Sequence, residues 1–200
     1  MKGEGVRRFR AFAWGLVVLA LIGFGILLVR SQRPPSPEQP PMQVSFGGPF
    51  TLTGADGQPF QSSRLNGKPY VIFFGFTHCP DVCPTTLARL VRLRRALGDD
   101  ALNIVFVTVD PERDGPDEVG KYADLFQSPV IGLTGSPAQI ERVKKQYGIF
   151  SQKVPDGSGG YSVDHTATTL LFGRDGKFVA TISQEEPDSI ALDKLKRIIA

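Results

Sequence analysis

Cysteine and histidine are scarce, two of each in 200 residues: Cys79 and Cys83, His78 and His165. Two cysteines make no disulfide framework. A bridge across the three residues between them would remove little unfolded-chain entropy, and the chain is long enough to build a core without staples. A c-type haem attachment needs two intervening residues and a His directly after the second cysteine, and Pro84 occupies that place. Charge is scarce too. No residue from Ala11 to Val29 is charged, and the formal net charge of +3 resides in the N-terminal segment. There Lys2, Arg7, Arg8, Arg10, Arg30 and Arg33 against Glu4 give +5 before Pro34, leaving −2 for the remainder. A slightly acidic remainder has no electrostatic footprint for nucleic acid, so that class of partner is excluded. No internal repeat is visible.

Both cysteines fall in Val71 to Pro84, VIFFGFTHCPDVCP, where an apolar strand stops. The β-branched and aromatic run Val71 to Phe76 reads as a central strand buried on both faces. After the cysteines, Leu87, Leu90, Val91 and Leu97 recur at helical spacing. Pro84 suits the first helical position, which puts Cys83 at the N-cap beside the positive end of the helix dipole and predicts that it forms thiolate easily. Two thiols so placed can close a disulfide, bind a soft metal, or do each in turn.

The uncharged stretch 11–29, at about 1.5 Å per helical residue, crosses most of a roughly 30 Å hydrocarbon core. It predicts a single uncleaved anchor, because a signal peptide would have a shorter apolar region ending in small residues, whereas Leu27-Leu28-Val29-Arg30 offers bulk. Four basic residues precede the span and two follow it, which puts the N-terminus in the cytoplasm and the domain across the membrane, in the periplasm of a bacterium. The expected organisation is therefore an N-terminal stub and anchor over 1–30, a proline-rich spacer over 31–42, and a folded domain over 43–200.

Within that domain, Phe46 to Phe60 reads as a hairpin turning at Gly54 to Gly57, and Asn103 to Val109 as a second buried strand. A helix follows over Pro116 to Phe126, a short strand over Val130 to Leu133, and a helix over Pro137 to Tyr147. Phe150 to Tyr161, with its Pro155 and several glycines, reads as a long loop serving a site. Thr168 to Phe172 and Lys177 to Ile182 form a hairpin, and Pro187 to Ile199 a closing helix.

This order, with a cysteine motif between strand and helix, resembles the thioredoxin fold, an α/β class. Ala167 stands where that fold carries a proline before the strand facing the cysteines. Three motifs carry a narrower resemblance: GFTHCPDVCP from Gly75, VDPERD from Val109 and YSVDHT from Tyr161 are similar to the signatures of the Sco/SenC family, copper-handling assembly factors for cytochrome c oxidase. Gly173-Arg174 and Thr166 depart from the family pattern at positions that are not expected ligands. The resemblance implies a thioredoxin-like domain on a single anchor, a copper ion as cofactor, and Cys79, Cys83 and His165 as its ligands.

Two thiolates and one imidazole are a soft set that suits copper and leaves a coordination position open. A closed structural zinc site would need a fourth protein ligand, and His78, adjacent to Cys79, is poorly placed to bind the same ion. Asp164 either orients His165 or is a solvated loop carboxylate. Asp110 and Asp114, flanking Arg113, read as turn scaffold with a partner-docking role open to them. Arg89, Arg92, Arg94 and Arg95 read as a solvated helix face that could meet an acidic partner. The leading expectation is a metallochaperone rather than an enzyme, tethered to the membrane by its N-terminal helix. It would take copper from a donor, rely on a thiol reductant, and deliver to the copper-bearing subunit of cytochrome c oxidase. A thiol–disulfide oxidoreductase that reduces that subunit's cysteines through the Cys79–Cys83 pair, or a redox or copper sensor, are the alternatives. His165 favours the chaperone, since disulfide exchange does not need it.

Overall fold

In the computed structural model the chain falls into two units, residues 1–44 and 45–200. The structure describes residues 14, 15, 18, 19, 21–25, 46–157 and 159–200. In the first unit the described residues are helical, with Trp14, Leu19 and Phe24 exposed. The spacer expected over 31–42 and much of the span expected over 11–29 lie outside the described residues, and among those described no helix is long and apolar enough to cross a membrane.

The second unit contains strands β1 (Thr51–Gly54), β2 (Pro59–Gln61), β3 (Tyr70–Gly75), β4 (Asn103–Thr108), β5 (Val130–Thr134), β6 (Ser151–Pro155), β7 (Tyr161–His165), β8 (Thr169–Phe172) and β9 (Phe178–Ile182). Its helices are α1 (Val82–Leu97), α2 (Pro116–Asp124), α3 (Pro137–Gln146) and α4 (Asp188–Ile199). Seven strands form one sheet in the order β2-β1-β5-β4-β3-β8-β9. β3, β4 and β5 run parallel, while β8, β9, β1 and β2 pair antiparallel around them. Every residue of β3 is buried, as its unbroken apolar sequence requires of a strand covered on both faces. β3 is in register with β4 from Tyr70↔Asn103 to Gly75↔Thr108, so both strands end at one level and the cysteine loop and the Val109–Asp114 turn leave the sheet side by side.

Helix starts follow from local chemistry. Ser136 and Gln139 make a reciprocal capping box at the start of α3, with Pro137 directly after the cap. α1 buries Leu87, Leu90 and Val91 against the sheet, and α4 packs beside it. Two expectations fail. The stretch read as a long loop, 150–161, supplies one strand and the turn of a hairpin: β6 pairs with β7 from Ser151↔His165 to Pro155↔Tyr161, and β7 ends in His165. The α1 arginines are not one solvated face either. Arg94 is 2% exposed and donates to the Pro129 carbonyl at 2.7 Å and to Ser128 Oγ, and Arg89 binds Asp188 at 2.7 Å and the Ser183 carbonyl at 3.0 Å. These guanidiniums tie α1 to neighbouring loops.

α2 lies so close to β5 that a Cβ on Gly132 would meet the Val119 carbonyl oxygen at 2.7 Å. Backbone cannot yield as a side-chain tip does, so Gly132→Ala is expected to cost about 1–3 kcal/mol of stability. Urea denaturation checks this; an unchanged midpoint would show that α2 moves off the sheet freely.

Candidate metal centre

The end of β3 and the start of α1 place the two sulfurs. α1 begins at Val82 with Asp81 as its cap, so Pro84 is the third helical residue and Cys83 lies inside the first turn, not at the cap. The Cys83 amide is then one of the free N–H groups of the helix start, and it donates to Cys79 Sγ at 3.3 Å. Behind it, Gly75 leaves room for Cys83 Sγ: a Cβ there would stand 2.8 Å from the sulfur.

The expectation of a readily ionised Cys83 is overturned. Its side chain is fully buried, and burial pushes the thiol well above its ordinary range, with the charges of Cys79 and Asp114 acting in the same direction. Desolvation outweighs the helix dipole because the sulfur sits under the loop rather than at its mouth. Cys79 is the more accessible of the two, half-buried against the core.

His165 arrives from the last position of β7. Its Nδ1 lies 3.0 Å from the Thr166 carbonyl oxygen, which can only accept, so Nδ1 carries the proton and Nε2 presents a lone pair. That Nε2 is 3.5 Å from Cys83 Sγ, positioned to accept the thiol proton. Burial lowers the imidazole's proton affinity, only partly opposed by the Thr166 carbonyl and the charge of Asp164, so the ring is held neutral, as a metal ligand must be. Phe73 and Phe76 meet the imidazole edge-on at centroid distances of 6.1 and 5.8 Å. One ligand atom from each of Cys79, Cys83 and His165 lies within 4.8 Å of the others.

The remaining candidates fall into supporting positions. Asp114 is fully buried and accepts from Thr77 N at 2.9 Å, Thr77 Oγ1 at 2.6 Å and Thr108 Oγ1 at 2.6 Å, anchoring the start of the cysteine loop. His78 turns towards the same group, 3.5 Å from Asp114 Oδ1 and 3.1 Å from Thr77 Oγ1, which agrees with its reading as loop structure. Asp110 accepts from Tyr161 OH at 3.0 Å and from Arg113 Nε. Both carboxylates are buried, so neither is presented to a docking partner. Asp164 is exposed and acts on His165 through its charge. Sequence reasoning missed Gly75, Thr166 and Tyr161. Gly75 left a signal as a glycine ending an otherwise bulky strand, and Tyr161 and Thr166 stood in the YSVDHT motif with no role read for them.

A parallel-centred α/β domain with two sulfurs at a helix start and an imidazole facing them is a thioredoxin-like domain built around a soft-metal and redox-capable centre. The SCO1/SenC family profile matches residues 38–200, and the chain belongs to that family. It is 36% identical over 161 residues to the mitochondrial protein SCO2 of Saccharomyces cerevisiae, a match covering 78% of this chain and 54% of that protein, so the chain spans about half of that relative's length. Bradyrhizobium japonicum ScoI with copper bound superposes with a TM-score of 0.70 and 44% identity, covering 77% of this chain and 99% of that one. BsSco, a member of the Sco family of cytochrome c oxidase assembly proteins in which a disulfide switch was identified, matches with a TM-score of 0.61 and 25% identity over 78% of this chain and 94% of that one.

Burial and protonation make the two thiols unequal. Brief iodoacetamide treatment of the reduced, metal-free protein at neutral pH is expected to alkylate Cys79 well before Cys83, as read by peptide mass mapping. Equal rates would show that Cys83 is neither buried nor held protonated.

Proposed function

We propose that the chain carries a copper ion on Cys79, Cys83 and His165 and delivers it to the copper-bearing subunit of cytochrome c oxidase during assembly. The observation that carries this reading is the convergence of two sulfurs and a lone-pair-bearing Nε2 within 4.8 Å, in a fold whose relatives include a copper-bound ScoI. Loading takes the place of the proton between Cys83 and His165, so binding couples to proton release and the buried thiol becomes a thiolate ligand. Were a partner disulfide to exchange with Cys79 and Cys83, leaving as two thiols with the two electrons, the new S–S bond would remove both anionic ligands and let the ion go. With three protein ligands the ion keeps a position through which a partner's ligand can enter.

The uncharged residues 11–29 and the basic residues around them support an uncleaved anchor with the domain outside the cytoplasm, in the periplasm if the cell is bacterial. There a copper donor loads the domain and a thiol reductant resets it. The proline-rich residues 31–42 serve as the spacer.

A second reading, reduction of the oxidase subunit's cysteines, draws on the accessible Cys79 Sγ and its N–H donor from the helix start. His165→Ala separates the two, because it removes a ligand while leaving both thiols free to exchange. The carrier reading predicts that copper affinity falls by more than the roughly 10–100-fold cost of losing an outer partner, together with loss of oxidase activity in cells relying on the variant. Normal oxidase assembly by a folded variant that no longer binds copper would replace the carrier with the reductase.

A further inference from the structure

The Val109–Asp114 turn holds a cation with no role in the proposed ligand set. Arg113 donates from Nε to Asp110 and from Nη1 to the Tyr161 carbonyl at 2.9 Å, and its guanidinium lies 3.8 Å from the centroid of the Tyr161 ring. The same guanidinium stands 5.9 Å from the Phe76 ring, which also packs edge-on against His165. One planar group therefore meets two of the supports of the imidazole: the start of β7, the strand that ends in His165, and the Phe76 ring beside it. The ion pair between turn and hairpin, Lys153 with Glu112 at 2.6 Å, is largely exposed, and pairs of that kind contribute little. Asp110, 1% exposed and fixed by Tyr161 OH, gives Arg113 a rigid partner.

We propose that Arg113 is a positioning residue for the copper site: it fixes the β6–β7 hairpin and the Phe76 ring so that His165 Nε2 stands opposite Cys83 Sγ. The role belongs to a guanidinium, since an ammonium supplies neither the two-donor fork nor the flat face that stacks on Tyr161. The inference rests on His165 being a copper ligand, and its test distinguishes failure of the one from failure of the other.

The test is a double-mutant cycle on the reduced full-length protein, with Cu(I) affinity measured by chelator competition and folding checked by thermal unfolding. Arg113→Lys keeps the charge and is expected to weaken copper binding about tenfold or more, as for loss of a ligand's outer support. In a His165→Ala background the same change should alter affinity by less than about twofold, because the ligand it positions is gone. Wild-type affinity in Arg113→Lys overturns the proposal, and so does an equal loss in both backgrounds, which would mark Arg113 as a general stabiliser. If His165→Ala alone leaves affinity intact, the ligand reading falls and the inference with it. Should Arg113→Lys fail to fold, Tyr161→Leu removes only the stacked ring and the hydroxyl from the hairpin; about a threefold loss that vanishes without His165 supports the proposal, and no loss overturns it.

Discussion

Cys83 Sγ and His165 Nε2, 3.5 Å apart, come from residues 82 positions apart in the chain, and the rest of the site is arranged around the proton they share. Burial raises the thiol's hold on that proton and lowers the imidazole's, so the metal-free pair is neutral. A neutral pair is what a closed interior tolerates. The Thr166 carbonyl fixes the arrangement by engaging Nδ1, because a ring protonated at Nε2 would turn a donor towards the thiol and leave no lone pair for a metal. A soft cation can take the proton's place without exposing either residue.

Holding that contact requires two loops from different parts of the chain to be indexed to each other, and the Val109–Asp114 turn lies between them. Asp114 binds the loop that leads to Cys79, while Asp110 and Arg113 bind the strand that leads to His165. Because β3 and β4 end at the same level, the turn emerges beside the cysteine loop without any long connection. The three motifs are thus one physical unit.

Much of this was legible in the sequence. Central strands announce themselves by unbroken β-branched and aromatic runs, and the glycine and proline punctuation around them marked the turns to within a few residues. The β6–β7 hairpin was not legible, because β6, SQKVP, is exposed along most of its length and lacks the apolar alternation that signals a half-buried strand, while the glycines between the strands read as loop. The protonation of Cys83 was misjudged for a related reason: the pull of a helix start on a nearby thiol is local and readable, whereas burial of the sulfur under the loop is tertiary. Arg94 fails in the same way. Its charge predicts solvent, and the Pro129 carbonyl and Ser128 hydroxyl of a distant loop explain its interior position.

The account stands on a copper ion held by both sulfurs and the imidazole and released when the sulfurs pair. X-ray absorption of the copper-loaded, reduced full-length protein measures this directly, because sulfur and imidazole scatterers are distinguishable around the metal. The account predicts two sulfurs and one imidazole in the reduced protein, and loss of protein-bound copper once Cys79 and Cys83 are oxidised. An ion without imidazole scattering, or one retained by the disulfide form, would contradict it.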